Sequence, residues 1–371
     1  MFENQVTRRE FVRDGVVAAA GAAVGLAGTY TVQAGNPQKA DTSKIVNYHP
    51  QMEYRRCGKT NLMISAVCLG GHWKRLDTVV PNLTQGNAWG HVDLQNPAFQ
   101  KNRADVVSRC IEQGMNYIDA CTGGEVMAYS TTLKGRRDKM HLGFSWAEGE
   151  IRNAECRKAA KLKETFDRGL KEANLEYVDL WRITCLEQSG DHDRRTMDEL
   201  AEALAWAKKT GRARFTGISS HDRPHIKRLL ETYPQQMEVI VTPFTAKTKV
   251  EATEDKAGLW AAMKRLDAGW FGIKPFASNS VFKGTSAPDD PHAEEDNRLA
   301  RLAIRAILCN AAITAPIPGL ITPQQVDNVA LAVKERRELD VSEKAELERA
   351  MDRAWAKLPY HYQWLKDWEY V

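Results

Sequence analysis

Short apolar runs alternate along this chain with segments whose apolar residues recur at helical spacing. The runs "AVCLGG", "NYIDAC", "MHLGFSW", "YVDLWRITC", "RFTGISS", "EVIVTPF", "WFGIKPFA" and "ITAPIPG" read as strands. Between them, "RADVVSRCIEQG", "GEVMAYSTTLKG", "RKAAKLKETFDRGLKEANL", "TMDELAEALAWAKKTG", "RPHIKRLLETYP", "GLWAAMKRLDAG" and "RLARLAIRAILCN" read as helices, several of them ending on Gly. Strict alternation of strand and helix argues for a parallel α/β sheet, and the count of eight strands argues for closure into a (β/α)8 TIM barrel. A doubly wound open sheet is the competing fold, weakened because no GxGxxG loop follows the first strand. Two pieces stand outside the repeat. "MEYRRCGKTNLMIS" reads as a hairpin turning at Lys59 to Asn61 and plugging the barrel bottom. The tail from Ser342 onward, ending in "AWAKLPYHYQWLKDWEYV", reads either as a cap on the barrel wall or as a flap lining a substrate pocket near the top.

Composition adds bounds to this picture. With 371 residues, 43% of them hydrophobic and 27% charged, the chain can bury one large core. Its 52 basic and 48 acidic side chains are well mixed and leave a net charge of +4, and no basic stripe with interleaved aromatics points to nucleic acid. The first forty residues differ from the rest. "TRREFVR" followed by "DGVVAAAGAAVGLAG" has a charged start, a modestly apolar run and a cleavage point after Ala34, and it resembles a twin-arginine export signal. An ordinary amphipathic leader is the alternative, and an uncleaved segment would be a weak membrane anchor. The expected organisation is a signal segment over 1–34, a linker over 35–51 and the barrel over 52–371, with the protein exported to the periplasm. The seven cysteines are scattered without CxxC pairs, so no metal ligand set is expected, and an odd count suits buried, reduced thiols.

"MEYRRCGKTNLMISAVCLGG", "GMNYIDA", "LEYVDLWRI", "KKTGRARFTGISS" and "ITAPIPGLITPQQVDN" follow one another in the order and spacing of the aldo-keto reductase family, which this chain resembles from about Glu53 to Asp340. The resemblance implies a nicotinamide cofactor at the barrel top and a tetrad of Tyr, Lys, Asp and His. Asp119 matches the family's Asp. The Tyr position falls on Gly124, or on Gly123 if the loop shifts by one, the Lys position on Trp146 and the His position on Thr184. These residues do not replace a tuned acid whose contribution is about 10² to 10⁴-fold.

Without its lysine, Asp119 needs another cation or several hydrogen-bond donors to stay charged in a buried place. On "LWRIT" a period of two puts Arg182 on the same face as Thr184, toward the barrel interior, so Arg182 is expected to pair with Asp119, either in the lysine's electrostatic role or as a core plug. Cys121 and Glu125 after the second strand, Cys185 and Glu187 after the fourth, and His221 after the fifth stand at strand ends, where barrel enzymes keep their chemistry. Cys121 is a nucleophile only if Arg182 stabilises its thiolate. Glu125 and His221 are candidate acid/base groups, Tyr129 reaches the site if its helix turns inward, and Ser219, Ser220 and Asp222 could equally cap the helix at Pro224.

For NADP or NAD, the resemblance implies Ser219 and Ser220 at the carboxamide, Phe276 to Ser280, including Ser278, across the pyrophosphate, and Gly319 with Thr322, Gln325 and Asn328 at the adenosine end. Leu320 and Ile321 supply no charge for a 2′-phosphate. Lys274 is the nearest cation for a phosphate or for a substrate carboxylate. Three readings follow: an exported oxidoreductase with a rearranged site and a small-molecule substrate, a barrel that has lost redox chemistry and binds a ligand or catalyses another reaction, or a scaffold subunit. Substrate and oligomeric state are not written in the sequence.

Overall fold

The computed structural model describes residues 41–83, 92–185, 193–248 and 258–368. The expected signal segment and Glu187 lie outside these residues. Strands β1 (Tyr54–Arg56) and β2 (Met63–Ser65) form an antiparallel hairpin, with Asn61 in the left-handed region at its turn. The hairpin's Lys59 N–H donates to the carbonyl of Asp267 at 2.7 Å, just before a barrel strand begins, which seats it on the barrel bottom as expected.

Eight parallel strands follow. β3 (Leu69–Gly70), β4 (Tyr117–Ala120), β5 (His141–Phe144), β6 (Val178–Thr184), β7 (Ala213–Ser219), β8 (Val239–Pro243), β9 (Gly269–Ile273) and β10 (Ala315–Ile317) pair in chain order. Bonds from Cys68 N–H to the Pro316 carbonyl (3.1 Å) and from Gly70 N–H to the Pro318 carbonyl (2.8 Å) join first to last and close the barrel. A Cβ on Gly319 would stand 2.7 Å from the Gly71 carbonyl oxygen, so only glycine allows that closure.

Side-chain caps set the start of several helices. α1 (Pro97–Glu112) starts before the expected Arg103, because Asn96 caps its first N–H groups and Pro97 occupies its first position; the polar opening turn carries no apolar period. Thr122 caps α2 (Gly123–Thr132). α3 (Ala159–Glu172) follows β5, and Phe166 from it stacks flat on Trp181 of β6 at 4.0 Å. Asp193 caps α4 (Arg194–Lys209), and Asp222, rather than Ser219 or Ser220, caps α5 (Arg223–Thr232) through the His225 N–H at 2.7 Å. α6 (Leu259–Arg265) and α7 (Ala293–Leu308) complete the ring with α8 (Pro323–Lys334), which Thr322 caps.

Inside the barrel, Tyr117 stacks on Phe271 at 4.4 Å among Leu180, Val239 and Ile317. One step of two residues up from Tyr117 and Leu180 are Asp119 and Arg182, so the apolar plug is floored below and polar above. Residues 41–51, expected as linker, lie against the bottom: Asn47 Nδ2 donates to the carbonyls of Ile111 and Met115 at 2.8 and 3.0 Å. Both readings of the tail are realised in different parts. α9 (Val341–Ala356) lies along α7, where Arg305 donates to both carboxylate oxygens of Glu343 at 2.9 Å. Beyond it the chain crosses to the barrel mouth, where Trp364 stacks on His221 at 4.1 Å.

Candidate active site

At the top of the barrel, Arg182 meets Asp119. Arg182 Nε donates to Asp119 Oδ1 at 3.0 Å and Nη2 donates to Oδ2, while Tyr117 donates its hydroxyl to Oδ1 from below at 3.2 Å. Both side chains are nearly inaccessible, at 2% and 5% exposed. Burial alone works against the Arg182 charge, and the Asp119 carboxylate more than restores it, so the guanidinium holds its proton more tightly than usual. The third fork of Arg182 donates to Thr184 Oγ1 at 2.9 Å and to Cys121 Sγ at 3.6 Å. That contact does not make a thiolate. Burial pushes the Cys121 thiol above its ordinary range despite Arg182, so the condition set for a nucleophile there is not met.

Glu125 is not a loop carboxylate. It stands in the first turn of α2, fully buried, and its oxygens accept from the Cys121 N–H (2.6 Å), the His72 N–H (2.5 Å) and His72 Nδ1 (2.6 Å). Burial raises its pKa, but His72 and these N–H donors outweigh that, and the net shift is downward. Glu125 is therefore a buried anion that ties the loop after β3 to the start of α2.

A second buried carboxylate, Glu150, sits behind Arg182. It accepts from Ser145 Oγ (2.5 Å) and the Thr184 N–H (2.7 Å), and Ser145 and Thr184 hydroxyls are 2.8 Å apart. A hydrogen-bonded chain thus runs from Asp119 through Arg182, Thr184 and Ser145 to Glu150. Burial pushes Glu150 upward against these donors.

Two clefts open on this layer. The first, about 770 Å³ and open to solvent, is lined by Asp119, Arg182, Cys121, Glu125, His72 and Ser219, together with Lys74, Lys274, Ser278 and Tyr362. The second, about 1080 Å³, lies between the loop after β9 and the start of α8; its lining includes Thr322, Gln325, Asn328, Asp290 and Asp296. Lys74, Phe276, Asn279 and Gly319 line both, so the clefts are continuous. The wall between them is backbone held at Lys274, Ala277, Ser278 and Asn279, all in the left-handed region (φ 59°, 46°, 59° and 65°), a conformation that costs non-glycine residues energy and clusters where ligands are clamped.

Several expected residues stand elsewhere. His221 turns to Trp364 and away from the first cleft; burial, then Lys274, depress its pKa well below the ordinary value, so it is a neutral ring in a stack. Ser220 is buried and accepts from the Asp222 N–H at 3.1 Å, which spends it on the entry to α5. Thr184 lies one layer beneath the cleft lining. Tyr129 remains in the core, donating to the Gly70 carbonyl at 2.7 Å. Asn328 reaches the second cleft, but its amide is bound by Arg301 (2.6 Å) and to the Asn297 carbonyl (2.9 Å). His72, Lys74, Glu150 and Tyr362 escaped sequence reasoning; the aromatic tail was the one signal that pointed toward any of them.

The model of the aldo/keto reductase family matches residues 86–352. The chain belongs to that family. Among curated relatives, the L-glyceraldehyde 3-phosphate reductase of Escherichia coli K12 is 24% identical over 241 residues, covering 61% of this chain and 62% of that protein. The chain thus spans under two thirds of that relative's length. YrpG, an uncharacterized oxidoreductase of Bacillus subtilis, is 21% identical over 327 residues, covering 76% and 91%. The aldo-keto reductase AKR11C1 of Bacillus halodurans, in its holo form, shares the fold with a TM-score of 0.56 at 17% identity, over 81% of this chain and 96% of that one.

The continuous clefts suit the dinucleotide that reductases of this family use. Phe276, Leu320, Ile321 and Val329 offer apolar surface, Gln324 and Asn297 offer amides, Ser219 a hydroxyl, and Lys74 places a cation at the junction of the two clefts. Among the described residues no group of three or more His, Cys, Asp or Glu is placed to hold a metal ion.

Proposed function

We propose that this chain is an exported, nicotinamide-dependent oxidoreductase that interconverts a carbonyl and an alcohol at the barrel mouth, with a rearranged catalytic centre. The observation that carries the reading is the continuous pair of clefts leading from the Asp119–Arg182 layer past Lys74 to the start of α8. The dinucleotide, when bound, supplies the hydride. Of the chain's own residues, Ser219 and the apolar and amide groups of the second cleft bind and orient it, Asp119 and Arg182 present a fixed dipole beneath the reacting carbonyl, and the tail shields the mouth from water.

The rearrangement rests on what stands at the positions where the family's Tyr, Lys and His are expected. The Trp146 indole packs against Gly123, where a Cβ would lie 2.3 Å from it, and against Gly169 of α3, so it fills the wall rather than the site. Thr184 is part of the chain of hydrogen bonds to Glu150. Arg182 occupies the place beside Asp119 that a lysine would need.

The test is a fluorescence titration of NADH and NADPH into the full chain. Asp290 and Asp296 line the second cleft, and Lys74 is the one Lys or Arg in its lining among the described residues. Hydrogen bonds from the Thr285 and His292 N–H groups hold the Asp290 carboxyl down at about 2, so it is charged at neutral pH. A 2′-phosphate meets like charge there, and NADH is expected to bind roughly fivefold or more tightly than NADPH, the gap narrowing with salt. Equal affinities would remove the acidic lining as a selector, and binding of neither would remove the redox reading.

The reductase named for L-glyceraldehyde 3-phosphate makes small phosphorylated aldehydes the first substrates to try, and Lys74 and Lys274 in the first cleft suit an anionic group. Export through the twin-arginine route suits a protein folded around its cofactor. Changing Arg8 and Arg9 both to Lys is expected to leave the protein in the cytoplasm in a fractionation assay; unchanged export would assign the leader to another route.

A further inference from the structure

A carbonyl receiving hydride becomes an alkoxide unless a positioned acid supplies a proton as charge develops. That acid must line the first cleft and part with its proton near neutral pH. Arg182 holds its proton too tightly beside Asp119. The Cys121 thiol is pushed up by burial, and Glu125 is an anion that only accepts. Ser219 is an ordinary alcohol. His72 is fastened through its ring and its backbone to Glu125.

Tyr362 differs from all of these. It comes from the tail, six residues past the end of α9, and turns over the cleft with Lys74 Nζ donating to its hydroxyl at 3.0 Å. Lys74 also donates to Ser278 Oγ and lies 4.3 Å from the centre of the Tyr362 ring, and Lys274 lies 5.6 Å from it. Tyr362 and Lys74 both line the first cleft, together with Asp119, Arg182 and Ser219. Neither belongs to the segment matched by the family, which spans residues 86–352.

We infer that Tyr362, delivered by the C-terminal tail, is the proton donor to the substrate oxygen, and that Lys74 positions it. In the step, the Tyr362 O–H bond breaks and a new O–H bond forms on the substrate oxygen. The electron pair for that bond comes from the C=O π bond as a nicotinamide hydride reaches the carbon, so the carbonyl is reduced and the nicotinamide oxidised. Water then reprotonates the tyrosinate, whose charge Lys74 and Lys274 face. Although burial raises the Tyr362 pKa, the two lysines and the bonds from Lys74 and Ser278 bring it below the ordinary tyrosine value. The other charged or titratable groups around it are His361 on its own segment, His72, Glu125 and Cys121 in the same cleft, and His221 behind Trp364.

The inference rests on the oxidoreductase reading, and the test separates the two. In the full chain, NADH binding is measured by fluorescence, aldehyde reduction is followed with glyceraldehyde 3-phosphate and glyceraldehyde, and tyrosinate formation is followed by its ultraviolet band in an alkaline titration. Tyr362→Phe is expected to lower kcat by about 10² to 10⁴-fold at unchanged NADH affinity. It is also expected to abolish the earliest-titrating tyrosine. Lys74→Met should move that titration and the alkaline limb of kcat/KM upward, and Lys74→Arg should restore most of both. A wild-type chain that binds neither nucleotide overturns the reading beneath the inference. A chain that binds and turns over, while Tyr362→Phe keeps kcat within about threefold or His72→Gln takes the whole loss, overturns the assignment of Tyr362 alone. If NADH binds but neither aldehyde is reduced, the titration decides: no early tyrosine lost in Tyr362→Phe overturns the assignment.

Discussion

Replacing Arg182 with Met is expected to cost about 3–5 kcal/mol of stability, because it strands the Asp119 carboxylate in a layer where both side chains are nearly inaccessible. Only the Tyr117 hydroxyl would remain to Asp119 among its present side-chain partners, and Thr184 would lose its donor. Urea unfolding monitored by tryptophan fluorescence measures the loss; a change under about 1 kcal/mol would show that the layer is wetter than its burial implies. The double variant Asp119→Leu with Arg182→Met removes both charges at once, and its stability should return most of the way to wild type, since apolar groups of similar volume often replace a buried pair without penalty. The same double variant decides what the pair is for. If it is stable but loses more than about 100-fold in NADH-dependent turnover, the pair belongs to the chemistry. If turnover survives, the pair only fills the core.

Glu125→Leu carries the next largest effect, about 2–5 kcal/mol, because the Cys121 N–H, the His72 N–H and His72 Nδ1 would all lose a buried acceptor. The conservative Glu125→Gln exposes the electrostatic part. Its sign follows from the lowered pKa of Glu125. A carboxylate whose folded pKa lies below its unfolded value of 4.5 contributes its full stability above pH 4.5 and loses it as pH falls through the folded value. The difference in melting temperature between wild type and Glu125→Gln should therefore shrink as pH falls below 4.5. A difference that grows toward acid pH would mean that Glu125 is not stabilised as an anion by His72 and its neighbours.

Much of the fold was legible because burial between two layers writes itself locally. All eight runs read as strands are strands, and the segments between them are helices, since the outward face of each strand and the inward stripe of each helix must be apolar wherever they fall in the chain. Helix starts were less legible. Pro97 and Ala293 begin turns whose polar residues carry no apolar period; the first start is set by the Asn96 cap, while no side chain caps the second. Within the candidate site, the pairing of Arg182 with Asp119 could be read from a period of two on neighbouring barrel strands, because such a strand offers each side chain one of two faces.

By itself, then, the sequence determined the barrel, its bottom hairpin and the ion pair above its apolar plug, through short-range periodicity and the cost of a lone buried charge. The tertiary structure alone decided which loops meet above that layer. Lys74 and Tyr362 are 288 residues apart, His72 and Glu125 53, and Ser145 and Thr184 39. No local pattern marks such partners. Their contacts exist only because barrel closure brings the ends of eight strands to one rim, and because a tail anchored along α7 is long enough to reach it.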